Sequence, residues 1–122
     1  MTNYTSIEQS KKLLELGLSP ETADFYYDDE ELKEGQGVYE EIQYWVGNKS
    51  RPADIPCWSV GVLLDLMPKV EDNYPIMLRT NNFKLTYADK KGYCIRLETG
   101  SLLDVCYNMM IWLLENGYIN TK

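Results

Sequence analysis

Two spacings of apolar residues divide this chain: a helical period near both ends and around residue 60, and a strict alternation between residues 74 and 98. Ile7, Ser10, Leu13, Leu14 and Leu16 fall on one helical stripe. Thr5-Ser6-Ile7-Glu8-Gln9 supplies two overlapping capping boxes ahead of it, in which a hydroxyl receives the N3 amide and Glu8 or Gln9 reaches back to the cap. Gly17 can enter the left-handed conformation that ends a helix, letting Leu18 fold back on Leu13. Ser19-Pro20-Glu21 is a second start signal and predicts a short helix to Tyr26 or Tyr27.

Ile55-Pro56-Cys57-Trp58-Ser59 predicts the opening of a third helix, with Val60, Leu63, Leu64 and Met67 on one side and Pro68 as its terminator. Gly61 inside it predicts close packing against a neighbour. From Tyr74 the period becomes two: Phe83, Leu85 and Tyr87, then Tyr93, Ile95 and Leu97, alternate with polar or small residues, so each strand is expected to carry one apolar face. Asn81-Asn82 suits a two-residue turn and Asp89-Lys90-Lys91-Gly92 a longer one, which makes Pro75 to Glu98 a three-stranded antiparallel meander. A ribbon of that size needs cover. Leu102, Val105, Cys106, Met109 and Leu113, capped by Ser101 and ended by Gly117, form the stripe of a buried helix that can supply it, and Met110, Ile111, Trp112 and Leu114 widen the stripe until the helix reads as the central one.

Residues 28 to 54 obey neither period. An acid cluster, Gly35, Gly37, Gly47 and Pro52 interrupt them, so a loop is expected there, within which Val38 to Trp45 fits an edge strand and a short helix equally well. The whole chain, residues 1–122, is expected to form one α+β domain: helices packed on one face of a small antiparallel sheet, in the order α-α-loop-α-β-β-β-α.

Charge sharpens the picture. Net charge is −7, and Glu21 to Glu41 holds nine acids against Lys33 alone, so this stretch carries −8 and leaves +1 for everything else. A basic footprint for nucleic acid is lacking, and phosphate backbones are repelled by whatever face displays the stretch. The longest apolar run, Met109 to Leu114, is far too short to span a bilayer, and Met1 to Thr5 has neither the basic nor the apolar part of a secretory leader, so a cytoplasmic protein is expected, with no membrane partner. Cys57, Cys94 and Cys106 are odd in number and lack C-x-x-C spacing; reduced thiols are expected rather than a disulfide framework or a thiolate zinc site.

The chain contains no histidine, which removes the side chain best suited to proton transfer near neutral pH and the commonest metal ligand. Cys57 beside a helix start would have a lowered pKa, but no Cys-His pair can be assembled, and a half-buried structural thiol is the expected role. No register from Asp28 places acids and glycine as a calcium loop requires, and neither phosphate-cradling glycine motif occurs. No catalytic residue, metal or cofactor is therefore expected.

Three segments, Thr5 to Asp24, Ile55 to Ser59 and Trp112 to Ile119, resemble a family of small uncharacterised proteins encoded by gut bacteria of the Bacteroides group and by their phages and mobile elements. The resemblance implies a bacterial cytoplasm and a phage or mobile-element origin, and implies no chemistry. The functional expectation comes from the acidic stretch, where aromatic residues interleave with the acids. Tyr26, Tyr27, Asp28, Asp29, Glu30, Glu31, Tyr39, Tyr44 and Trp45 are the candidate residues for docking a basic protein partner, since aromatic rings give contact area at low entropy cost and acids select the partner's charge. Against this stands the ordinary role of such rings as core cover. Two other classes stay open: a small enzyme or ligand-binding protein with a pocket between sheet and helices, and a mimic of nucleic-acid charge.

Overall fold

The computed structural model describes residues 3–28, 31–34 and 55–119, in which three α-helices and six strands follow one another as α1-β1-β2-β3-α2-β4-β5-β6-α3. Helix α1, Ile7–Glu15, begins as its sequence dictates. Ser6 accepts the Gln9 amide, and the Gln9 side chain receives the Ser6 amide at 2.9 Å, so the second of the two capping boxes is the one formed. Its exit also follows from sequence: Gly17 has φ of 99°, and the Leu18 amide donates to the Leu13 carbonyl at 3.0 Å.

The second predicted helix shrinks to one 3-10 turn, Pro20–Thr22. Ser19 does cap it, but Ala23 is already extended, and the chain enters strand β1, Phe25–Asp28, where helix was expected as far as Tyr26 or Tyr27. Phe25 to Asp28, three aromatic residues and an acid, take up backbone pairing on both edges in place of another helical turn. Strand β1 is the centre of an antiparallel sheet in the order β2-β1-β3, between β2, Glu31–Glu34, and β3, Ile55–Cys57. A strand thus lies inside the expected loop of residues 28 to 54, and the Val38 to Trp45 reading falls outside the described residues. Ile55 to Cys57 is likewise a strand and not a helix opening. Its buried Pro56 stands opposite Tyr26 on an edge strand, the place where a missing N–H is tolerated.

Helix α2, Val60–Leu66, starts only after Ser59, whose hydroxyl accepts the Val62 amide at 3.3 Å. Gly61 does not mark close packing: it is exposed, and a Cβ there would meet only the Ser59 hydroxyl oxygen at 3.9 Å. The meander forms as predicted, from β4, Ile76–Arg79, β5, Phe83–Ala88, and β6, Cys94–Gly100. Its first loop is Thr80–Asn82, three residues between paired Arg79 and Phe83 rather than two, and neither asparagine adopts a positive φ. The second turn is held by the Asp89 carboxylate, which accepts the Lys91 and Tyr93 amides at 2.9 Å each.

Helix α3, Leu102–Glu115, is capped by Ser101 and buries seven of its residues, among them Val105, Cys106, Met109 and Leu113 with no exposed surface. It lies against β5, β6 and α2, which makes it the central helix that its apolar stripe predicted. Leu13, Ala23, Trp58, Leu63, Leu85 and Tyr87 join it in one continuous core. The architecture is therefore α+β, but with two small sheets where one was expected. A β-bulge at Tyr87/Ala88 accounts for one further departure. It resets the alternation of β6, so Ile95 packs on the core while Leu97, opposite Thr86, faces outward, 48% exposed.

Candidate interaction surfaces

The candidate residues within the described chain gather on one hairpin. Tyr26 and Tyr27 lie on β1, Asp28 ends it, and Glu31 begins β2 directly opposite Asp28. Asp29 and Glu30, which connect the two strands, and Tyr39, Tyr44 and Trp45 lie outside the described residues. The register sets Lys33, the one base in the stretch, opposite Tyr26 and Leu32 opposite Tyr27, and pairs Asp28 with Glu31 at the hairpin end. Like charges directly opposed on adjacent strands weaken a sheet.

The two tyrosines serve the fold. Tyr26 packs against the core, and the Tyr27 hydroxyl donates to the Thr5 carbonyl at 2.8 Å; burial first, and the nearby Cys57 second, push that hydroxyl's pKa above its ordinary value. Phe25, the third ring of the strand, rests on Tyr4 with centroids 4.4 Å apart.

Behind this hairpin lies a polar cluster that sequence reasoning did not anticipate. Residues Asn3 to Thr5 run antiparallel to Trp58 to Val60, with Thr5 N–H donating to Trp58 O and Val60 N–H to Asn3 O, both at 3.0 Å. The fully buried Thr5 hydroxyl accepts the Trp58 amide at 3.0 Å and shares a hydrogen bond with the buried Ser10 hydroxyl at 2.8 Å. The Trp58 indole N–H reaches Thr22 at 2.9 Å, and Asp24 receives both the amide and the hydroxyl of Ser59 at 2.9 and 2.6 Å. Each of these groups satisfies a neighbour, which is the signature of a structural network that fixes α1, β1 and the start of α2 to one another.

Cys57 belongs to that wall and not to a helix start. It is buried on β3, where desolvation and then the charge of Asp24 push its thiol up to about 12. This is the opposite of an activated nucleophile. Burial alone holds Cys106 at about 11, while Cys94 is exposed on the outward face of β6.

That outward face is the feature sequence reasoning missed. Ile76 and Leu78 of β4 are each 57% exposed, and they share the face with Leu97 because their partners on β5, Thr86 and Lys84, alternate with the buried Leu85 and Tyr87. Exposed Tyr74 precedes the sheet, with the Lys69 ammonium 5.3 Å from its ring, and exposed Tyr93 sits in the second turn. Residues 69 to 100 hold six bases and four acids, so this part of the chain is mildly positive where the β1–β2 hairpin is strongly negative.

Among the described residues no group of three or more histidine, cysteine, aspartate or glutamate side chains comes together as a metal site, and no helix is long and apolar enough to cross a membrane. No protein-family model, curated protein or solved structure matches this chain.

Proposed function

We propose that this protein is a non-enzymatic interaction module that docks a basic protein partner through its acidic, aromatic stretch, residues 24 to 45. The observation that carries this reading is the register of the β1–β2 hairpin, which opposes Asp28 to Glu31 with two further acids between them. Such an arrangement lowers the stability of the isolated chain, and a cationic partner relieves it. The fate of the titratable groups behind the hairpin agrees with the reading: the Cys57 thiol is desolvated and the Tyr27 hydroxyl is occupied by a backbone carbonyl. We place the protein in a cytoplasm, in keeping with its free cysteines.

The test is replacement of Asp28, Asp29, Glu30 and Glu31 together by lysine. Proteins captured from a bacterial lysate by the native chain are expected to be lost from the variant and to elute from the native chain as salt rises. Capture that is indifferent to both refutes the reading. Competition of the captured partner by duplex DNA would instead assign the stretch to mimicry of nucleic-acid charge.

A further inference from the structure

Among the described residues, no strand lies beside the outer edge of β6 in the meander. The sheet order is β4-β5-β6, and β6 spans seven residues, against four for β4 and β2 and three for β3, the other edges of the two sheets. Those other edges are short, and β4 and β3 are further blunted by Pro75 at the entry of one and Pro56 within the other. Among the described residues β6 carries no proline and no lysine, and its bulge, at Ile95, leaves Arg96 to Gly100 in regular pairing. A row of unpaired backbone donors and acceptors of this length is a template for another strand.

We infer that β6 pairs antiparallel with β6 of a second copy of this chain, about a two-fold axis through Leu97. The residues select that partner and that register. With Leu97 opposite Leu97, Arg96 falls opposite Glu98 of the other copy, and Glu98 opposite its Arg96, so one register satisfies both charges twice. Within one copy the same two side chains already touch, with the Arg96 Nε 2.6 Å from a Glu98 carboxylate oxygen, so a second copy extends an existing ion pair into a network of four charges. On the outward face the pairing closes a gap. Ile76, Thr86 and Leu97 form one row across three strands, and Leu97 against Leu97 continues that row through six, covering a side chain that is 48% exposed in the single copy.

Helix α3 contacts both β5 and β6, so in the paired arrangement the two α3 helices lie on the same face of the joined sheet, one on each side of the two-fold axis. The surface involved is separate from the acidic hairpin, so this inference does not depend on the proposed function.

Sedimentation equilibrium of the full chain from micromolar to several hundred micromolar is expected to show mass rising from 14.2 kDa toward twice that value. Register is read with Leu97→Cys in a Cys94→Ser background, which removes the one exposed native thiol. Mild oxidation by copper-phenanthroline is expected to cross-link this variant efficiently, while Thr99→Cys in the same background is expected to cross-link at least tenfold more slowly, since Thr99 faces Ile95 of the other copy. Arg96→Glu is expected to weaken association at least tenfold, and Arg96→Glu with Glu98→Arg to restore it, with far-UV circular dichroism confirming that each variant folds. A mass of 14.2 kDa at every concentration overturns the inference. So does a dimer that cross-links at residue 99 in preference to residue 97, or one indifferent to the charge reversal. The four-lysine hairpin variant is expected to dimerise as the native chain does, which keeps the two readings apart.

Discussion

Replacing Thr5 by valine separates hydrogen bonding from hydrophobic burial as the force that holds the N-terminal residues in place. Valine matches threonine in shape and is the more apolar, so burial alone predicts a variant as stable as the native chain or better. The structure predicts a loss. The Thr5 hydroxyl, with no exposed surface, accepts the Trp58 amide and bonds the Ser10 hydroxyl. Without it the Trp58 N–H is buried and unmet, at a cost of about 1 to 3 kcal/mol. Ser10 suffers less, because a serine inside a helix can turn to a carbonyl one turn back, here that of Ser6. The methyl that replaces the hydroxyl returns about 1 kcal/mol, which offsets the roughly 1 kcal/mol that Ser10 loses with its hydrogen bond, so the net destabilisation is that of the Trp58 N–H, about 2 kcal/mol, or a fall in Tm of roughly 6 to 10 °C. Urea unfolding followed by far-UV circular dichroism measures it. Thr5→Ser, which keeps the hydroxyl and gives up one methyl, is expected to lose only about 1 kcal/mol. Adding Ser10→Ala to Thr5→Val is expected to cost less than the two single changes combined, since the second removes a group already half orphaned. A Thr5→Val protein as stable as the native one would refute the assignment of the cluster as a structural network.

Two other changes test the fold. Stability is expected to hold below pH 9 and to fall as pH rises from there toward 11 to 12, because the unfolded chain ionises its thiols near 9.0 while folded Cys106 and Cys57 keep their protons to about 11 and about 12; Cys57→Ala should flatten the decline in urea midpoint, and a midpoint unchanged to pH 10.5 would contradict the burial of both thiols. Gly61→Ala is expected to stabilise the protein by about 0.5 to 1 kcal/mol in the same assay, since an exposed helical glycine gives up backbone entropy for nothing, and a destabilised variant would mean that a neighbour occupies that side of α2.

Signals that act within a few residues were legible in the sequence. Ser6 with Gln9, Ser101, Gly17 and Gly117 mark helix ends by local chemistry, and the alternation from Phe83 to Tyr87 marks a strand that is half covered. What was illegible depends on partners far along the chain. Phe25 to Asp28 has no period of its own and becomes a strand because Ile55 to Cys57 arrives beside it, and the same event turns Pro56 from an apparent helix opener into an edge-strand residue. Of the candidate site, the charge of the hairpin was readable, but the duty of Tyr27 was not, since it bonds the carbonyl of Thr5, 22 residues earlier. Leu97 was assigned the wrong face because a bulge leaves no mark in a hydrophobic pattern; the apolar residues at both parities of Ile76-Met77-Leu78 were the available hint that two faces, and not one, carry apolar surface.

The seam between Asn3 to Thr5 and Trp58 to Val60 also governs how the protein must be made. The donor and acceptor in the Thr5–Trp58 bond are separated by 53 positions, so Asn3 to Thr5 have nothing to hold until Trp58 has been synthesised. The helix that roofs the apolar interior is translated later still. Contacts of such separation close only once both of their segments exist, so this body is expected to fold late and cooperatively, with its apolar surfaces uncovered until then.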